Sequence, residues 1–109
     1  MKLKDLVAHL PLQMINQASL DREVQGVYIG DLLSFVMANG EEHNLWLTIQ
    51  RHVNVVAVAS LSGFSGIVFV QDIDPEAHTL AKANEHDIPL LKTTLTAYEL
   101  AKLLGNAGV

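Results

Sequence analysis

The run Gly66-Ile67-Val68-Phe69-Val70 is apolar throughout and is bounded by turn-forming residues. A strand with one face in water alternates apolar and polar residues. A run without alternation belongs to a strand covered on both faces, as in a parallel sheet. Parallel neighbours need crossover connections, usually helical. This single run therefore dictates what must flank it.

The flanks comply. Upstream, Leu45 to Gln50 sets Leu/Leu/Ile against Trp/Thr/Gln, which is strand alternation. Between the two strands lies Val53 to Leu61. Its β-branched residues favour a strand by propensity, but context predicts a helix. Asn54 is a suitable cap, Ala57, Ala59 and Ser60 are small, and Ser62-Gly63 marks an end. This helix is apolar on nearly all sides, which predicts burial on more than one face, within the fold or at a subunit interface. Downstream, Asp74-Pro75-Glu76 reads as cap, proline at the first position and acid in the first turn of a helix running to about Glu85. Ile88 to Lys92 is the last strand. Thr96 and Glu99 have capping-box spacing for a last helix, with Leu95 and Leu100 placed as its hydrophobic staple. Strand–helix alternation of this kind predicts an α/β fold.

The first half is less regular. Leu3, Leu6, Val7 and Leu10 predict a helix over 3–10, stopped by Pro11. Leu12 to Ile15 is a short strand candidate, followed by a polar loop from Asn16 to Ser19. Glu23 to Ile29 reads as a strand around Gly26, where a bulge or a close backbone approach is expected. Asp31 is placed to cap the next helix, with Leu32, Leu33, Val36 and Met37 as its buried stripe and Asn39-Gly40 as its left-handed stop.

Composition narrows the function. The chain has 109 residues, half of them apolar, which suits one domain with a real core. It has no cysteine, so disulfides and thiolate metal sites are excluded. Net charge is −5 and the seven basic residues are dispersed, so no patch suited to nucleic-acid phosphates is evident. No signal-peptide pattern or membrane-length apolar run is present, and a cytoplasmic location is expected. No cofactor is implied. No Gly-x-Ser-x-Gly pattern is present, and no histidine pair has the spacing of two metal ligands on one element.

The stretch Leu20-Asp21-Arg22-Glu23-Val24-Gln25-Gly26 followed by Gly30-Asp31-Leu32-Leu33-Ser34 resembles the DRTGG domain family. Leu47 to Ala59, including Arg51-His52-Val53-Asn54, looks like that family's second block, and Ile88-Pro89-Leu90-Leu91 with Thr94 looks like its end. The resemblance covers roughly residues 3–105. Gln25-Gly26 stands where the family name implies Gly-Gly, which makes the loop less permissive. Related modules precede the catalytic domain of HPr kinase/phosphorylase, and they occur in some phosphate acetyltransferases and CBS-domain pyrophosphatases. The N-terminal domains of Mur ligases, which bind a uridine nucleotide, are similar in fold. The resemblance implies a three-layer α/β/α fold with a mostly parallel central sheet, like the HPr kinase N-terminal domain. It also implies frequent homodimerisation, a regulatory role without catalysis, and an association with hydrogenase systems. Phosphate-cradling kinase chemistry needs a Gly-Lys pair in a P-loop, and the sequence has none.

Two groups of residues are candidate ligand contacts. Thr48, Gln50, His52 and Asn54 cluster where a strand gives way to a helix. Strand ends and helix amides are where anionic ligands collect in α/β sheets. His52 would add positive charge in mild acid. The plainer reading is that Asn54 caps the helix and His52 anchors a turn. Asp21 and Arg22 form either a ligand clamp or a structural ion pair. Thr93, Thr94 and Thr96 read as a strand end and capping box. Trp46 lies on the sheet face opposite Leu45 and Leu47, either packed under a helix or exposed as a partner anchor. The expected role is a non-catalytic regulatory domain acting on a metabolic or redox enzyme. The alternative is a sensor for a nucleotide or another small anionic metabolite.

Overall fold

A computed structural model describes all 109 residues. The elements are α1 (Leu3–His9), β1 (Gln13–Met14), β2 (Val27–Ile29), α2 (Leu33–Asn39), β3 (Leu45–Thr48), α3 (Asn54–Ser62), β4 (Gly66–Phe69), α4 (Ala77–Glu85), β5 (Leu90–Lys92) and α5 (Ala97–Asn106). They form one five-stranded sheet in the order β1-β5-β4-β3-β2. Strands β2 to β5 are parallel, and β1 closes one side antiparallel to β5.

All four residues of β4 are buried, as its unbroken apolar pattern demands, and so are all four of β3. Alternate side chains feed two separate cores. Trp46, Ile67, Phe69 and Leu90 point to one side, where Val36 of α2, Val55 and Val58 of α3 and Ala83 of α4 cover them. Leu45, Leu47, Val68 and Leu91 point to the other, against Leu3 and Leu6 of α1 and Leu100 and Leu104 of α5. The result is a three-layer α/β/α arrangement with a mostly parallel sheet. No helix is long and apolar enough to cross a membrane.

Trp46 is fully buried under the α2–α3 layer. Its indole Nε1–H donates to the Gly30 carbonyl at 2.8 Å, so the one polar atom of the ring is satisfied. Its ring lies 5.7 Å from that of Phe64, tilted by 59°. Helix α3 is helical as context predicted, and Gly63 ends it in the left-handed region at φ 71°. Val55, Val56, Val58 and Ala59 are buried within the fold itself. The monomer thus covers most of this apolar helix, and the helix gives no reason of its own for a subunit interface.

Several local expectations are corrected. The strand expected over Glu23 to Ile29 is confined to Val27–Ile29, with Glu23 making only an isolated bridge to Lys2. Gly26 breaks it: φ is +77°, and a Cβ there would lie 3.0 Å from Asn44 Nδ2. Asp31 does not cap α2. Leu32 occupies the cap position with no side-chain bond. Of the expected stripe on α2, Val36 is buried and Leu33 packs partly on the core, whereas Leu32 and Met37 are exposed. Gly40 is extended rather than left-handed, at φ −68°. Glycine is required there for a different reason: a Cβ would run into the Phe64 ring and come within 2.9 Å of the Val36 carbonyl. Asn54 is the first helical residue of α3 and caps nothing. Helix α4 begins at Ala77, later than Asp74-Pro75-Glu76 suggested. The β3 and β5 strands are also shorter than read from sequence, ending at Thr48 and starting at Leu90.

The start of α5 is as the sequence implies. Thr96 Oγ1 accepts from Glu99 N at 3.2 Å, and a Glu99 carboxylate oxygen accepts from Thr96 N at 3.0 Å. Leu95 and Leu100 belong to the same core. These bonds, first the one to the Thr96 backbone, hold the Glu99 carboxyl below its ordinary value. A depressed carboxyl contributes stability above its unfolded value, about 4.3 for glutamate, and loses it as pH falls through the folded value. Thr96→Ala removes the hydroxyl that accepts from Glu99 N and should destabilise the fold by about 1 kcal/mol at neutral pH. The wild type should itself lose stability below about pH 4, as the Glu99 carboxylate is protonated and its bond from the Thr96 amide is lost. Urea midpoints at the two pH values measure both effects.

Candidate functional site

The end of β3 is built around one carboxylate. Asp31 Oδ1 accepts from Thr48 Oγ1 and from Ile49 N, both at 2.9 Å. Thr48 is buried, and its hydroxyl also accepts from Gln50 N at 3.1 Å. Both roles of that hydroxyl are taken, so Thr48 serves as a structural post beneath the loop. Asp31, assigned from sequence to a helix cap, instead ties the β2 end to the β3 end.

His52 and Asn54 are brought together, but not as expected. The ring Nδ1 of His52 accepts from Asn54 N at 3.1 Å, so His52 satisfies the first amide of α3, while the Asn54 side chain caps nothing. A nitrogen that accepts this bond cannot also carry a proton, so acquiring charge at Nδ1 would break it. Arg51, just before them, fixes the neighbouring loop. Its guanidinium Nε–H donates to the Asp74 carbonyl. Its own carbonyl accepts from Thr79 Oγ1 at 2.8 Å and from Glu76 N at 3.2 Å. Gln50, His52 and Asn54 thus stand on a corner pinned to the start of α4, with His52 and Asn54 exposed.

Asp21 and Arg22 lie at the other end of the sheet. Arg22 Nη2 donates to the Asp87 carbonyl and lies 3.5 Å from Asp87 Oδ2, just ahead of β5. Asp21 Oδ1 faces away to Lys2 at 3.1 Å and Lys4 at 3.8 Å. The hydrogen bond from Lys2 holds the Asp21 carboxyl below its ordinary range, and the Lys2 ammonium is held correspondingly high. The two residues form separate ion pairs that fasten the N-terminal segment, one to α1 and one to the turn before β5. They share no target with Gln50, His52 and Asn54.

Sequence reasoning missed a groove between α3 and α4, about 440 Å³ in volume. Asn54, Val53, Val56, Ala57 and Leu61 line one wall, and His78, Lys82 and His86 line the other. The signal was present in the sequence, since these three basic residues recur every four positions and so share one helix face. A second concavity of about 460 Å³ adjoins it past His86, bordered by Asp21, Arg22, Glu23 and His43. A third, about 280 Å³, lies where Leu10 to Gln13 approach Thr93 and Thr94. There Lys92 Nζ bridges Asp74 at 2.6 Å and Asp72 at 3.1 Å. The Asp74 bond first, then the Asp72 bond, raises the Lys92 ammonium above its ordinary value. That lysine acts as a clasp between the β4–α4 loop and β5. No three of the His, Asp and Glu side chains converge so as to hold a metal ion.

No family model matches the sequence, and no curated protein matches it. Among solved structures, the chain is similar to the crystal structure of the CBS and DRTGG domains of the regulatory region of Clostridium perfringens pyrophosphatase, complexed with its activator diadenosine tetraphosphate. The TM-score is 0.74 at 12% sequence identity, over 94% of this chain and 45% of that one. At such low identity the likeness is one of fold, and this chain spans less than half the length of that structure. It bears out the expectation of a three-layer α/β/α fold with a mostly parallel sheet.

The Asp31 carboxylate gives the site a direct test. Asp31→Ala leaves the buried Thr48 hydroxyl and the Ile49 amide without their acceptor, and should destabilise the fold by about 1–2 kcal/mol. A cap residue replaced on α2 alone would free neither group. Loss of amide-exchange protection at Ile49, measured by NMR, distinguishes the two roles.

Proposed function

We propose that this chain is a non-catalytic regulatory domain of the cytoplasm that works by protein contact, as a symmetric homodimer and on a partner enzyme. The observation that carries this reading is the apolar surface left at the β2 side of the molecule. Leu32 is 68% exposed, Phe35 60% and Ile29 51%. Ile49, also exposed, is tied to the start of this segment by the hydrogen bond its N–H donates to the Asp31 carboxylate. Large apolar side chains gathered at one place on a surface mark contact sites, and an aromatic ring among them is a suitable anchor. Beside them, β2 is an edge strand whose residues make no backbone bond outside the sheet. The DRTGG resemblance supports dimerisation and a metabolic or redox enzyme as partner, hydrogenase-associated systems included. The similar pyrophosphatase structure comes from a regulatory region, which favours regulation over catalysis.

Light scattering tests the dimer. The wild-type chain should show twice its monomer mass at low micromolar concentration. Leu32→Ser with Phe35→Ser should give a folded monomer, because both side chains are exposed on the single chain. A monomeric wild type at high concentration would sink the reading.

A second reading is favoured by the complex of the similar structure with diadenosine tetraphosphate. The chain would then sense a nucleotide or another small anionic metabolite near the start of α3, where Gln50, His52 and Asn54 stand. A ligand at 100 times its dissociation constant should stabilise the domain by about 2.7 kcal/mol. His52→Ala with Asn54→Ala should weaken binding more than it lowers the melting temperature. Unchanged affinity in that double variant would remove these residues from the site.

A further inference from the structure

We infer that the groove between α3 and α4 binds a small amphiphilic anion, an apolar ring or chain carrying one phosphate, carboxylate or sulfonate group. This deepens the second reading above and rests on it. The two walls differ in chemistry. The α3 wall offers Val53, Val56 and Leu61 and no charge, and Leu61 is 77% exposed. The α4 wall offers His78, Lys82 and His86, which span about 12 Å along one helix face. Volume fits as well: about 440 Å³ lies in the range of small-molecule sites.

Charge decides where the head group sits. The molecule carries −5 overall with its histidines neutral, so the Lys82 ammonium between two imidazoles along a groove is a local exception on an acidic surface. Lys82 has one carboxylate partner, Glu85, with Nζ 3.4 Å from Oε2, on its own helix. The facing helix α3 supplies no carboxylate to the groove. Beyond His86, however, Asp21 and Glu23 border the adjoining concavity, where Arg22 is already engaged by Asp87, and they disfavour an anion. The head group is therefore held on the stretch from His78 to Lys82, with Asn54 across from it. The apolar body lies along Val53 and Leu61, and it shields the exposed Leu61 from water.

The probes are 1-anilinonaphthalene-8-sulfonate, followed by fluorescence, and adenosine monophosphate as competitor, both with the full chain. One sulfonate probe should bind per chain and be displaced by the nucleotide, but not by inorganic phosphate at the same concentration. Leu61→Asp should weaken binding at least tenfold. So should the triple change His78→Gln, Lys82→Ala, His86→Gln, and Lys82→Ala alone should weaken it several-fold. Circular dichroism melts show that each variant remains folded. Leu32→Ser with Phe35→Ser should leave the affinity unaltered. Failure of both probes to bind overturns the inference together with the ligand-sensing reading for this class. Wild-type affinity in the triple variant, or loss of affinity in the Leu32/Phe35 variant, overturns the placement alone. Equal displacement by inorganic phosphate overturns the amphiphile class.

Discussion

The buried indole of Trp46 donates its one polar hydrogen to the Gly30 carbonyl, and much of the fold is arranged around that bond. Leaving a buried N–H unpaired costs about 1–3 kcal/mol. The turn after β2 must therefore stay where Gly30 can reach the ring. The same ring meets Phe64 at the end of α3, and Phe64 in turn occupies the space a side chain would need at Gly40. One aromatic pair thus sets the height of α2 above the sheet, the entry into β3 and the exit from α3. The opposite core, between the sheet and α1 with α5, is built from aliphatic side chains and has no comparable polar constraint.

The sheet was legible because its signals are periodic or punctuating. The unbroken run at β4, the alternation at β3, the capping box at Thr96 and the glycine at Gly63 each act within a few residues, so they can be read without a fold. What failed was local grammar applied to residues with distant partners. Asp31 has the position of a helix cap, yet its carboxylate serves Thr48 and Ile49, seventeen and eighteen residues away. Asn54 has the chemistry of a cap, yet it is the first helical residue of α3, and the ring of His52 binds its amide. Apolar spacing on α2 showed that the helix is amphipathic in pattern. It could not show that the helix lies at the edge of the sheet, where Val36 meets the core and Leu32 meets water.

The candidate site was legible to a similar extent. Sequence pointed to the β3–α3 corner, and the corner exists, braced by Arg51 across to α4. The same reading joined it to no cavity. The groove depends on α4 lying beside α3, a consequence of strand order that no local pattern carries. Asp21 and Arg22 show the converse. They are adjacent in sequence, and each turns to a different partner.

The two edges of the sheet are unequal. The β1 edge is two residues long and follows closely on Pro11, so it offers almost no template to another strand. The β2 edge is open. A second copy added there across a two-fold axis would run antiparallel and consume both open edges at once. Growth by strand addition would then have nowhere to continue, and a chain of this shape would be protected from fibre formation by having a single open edge.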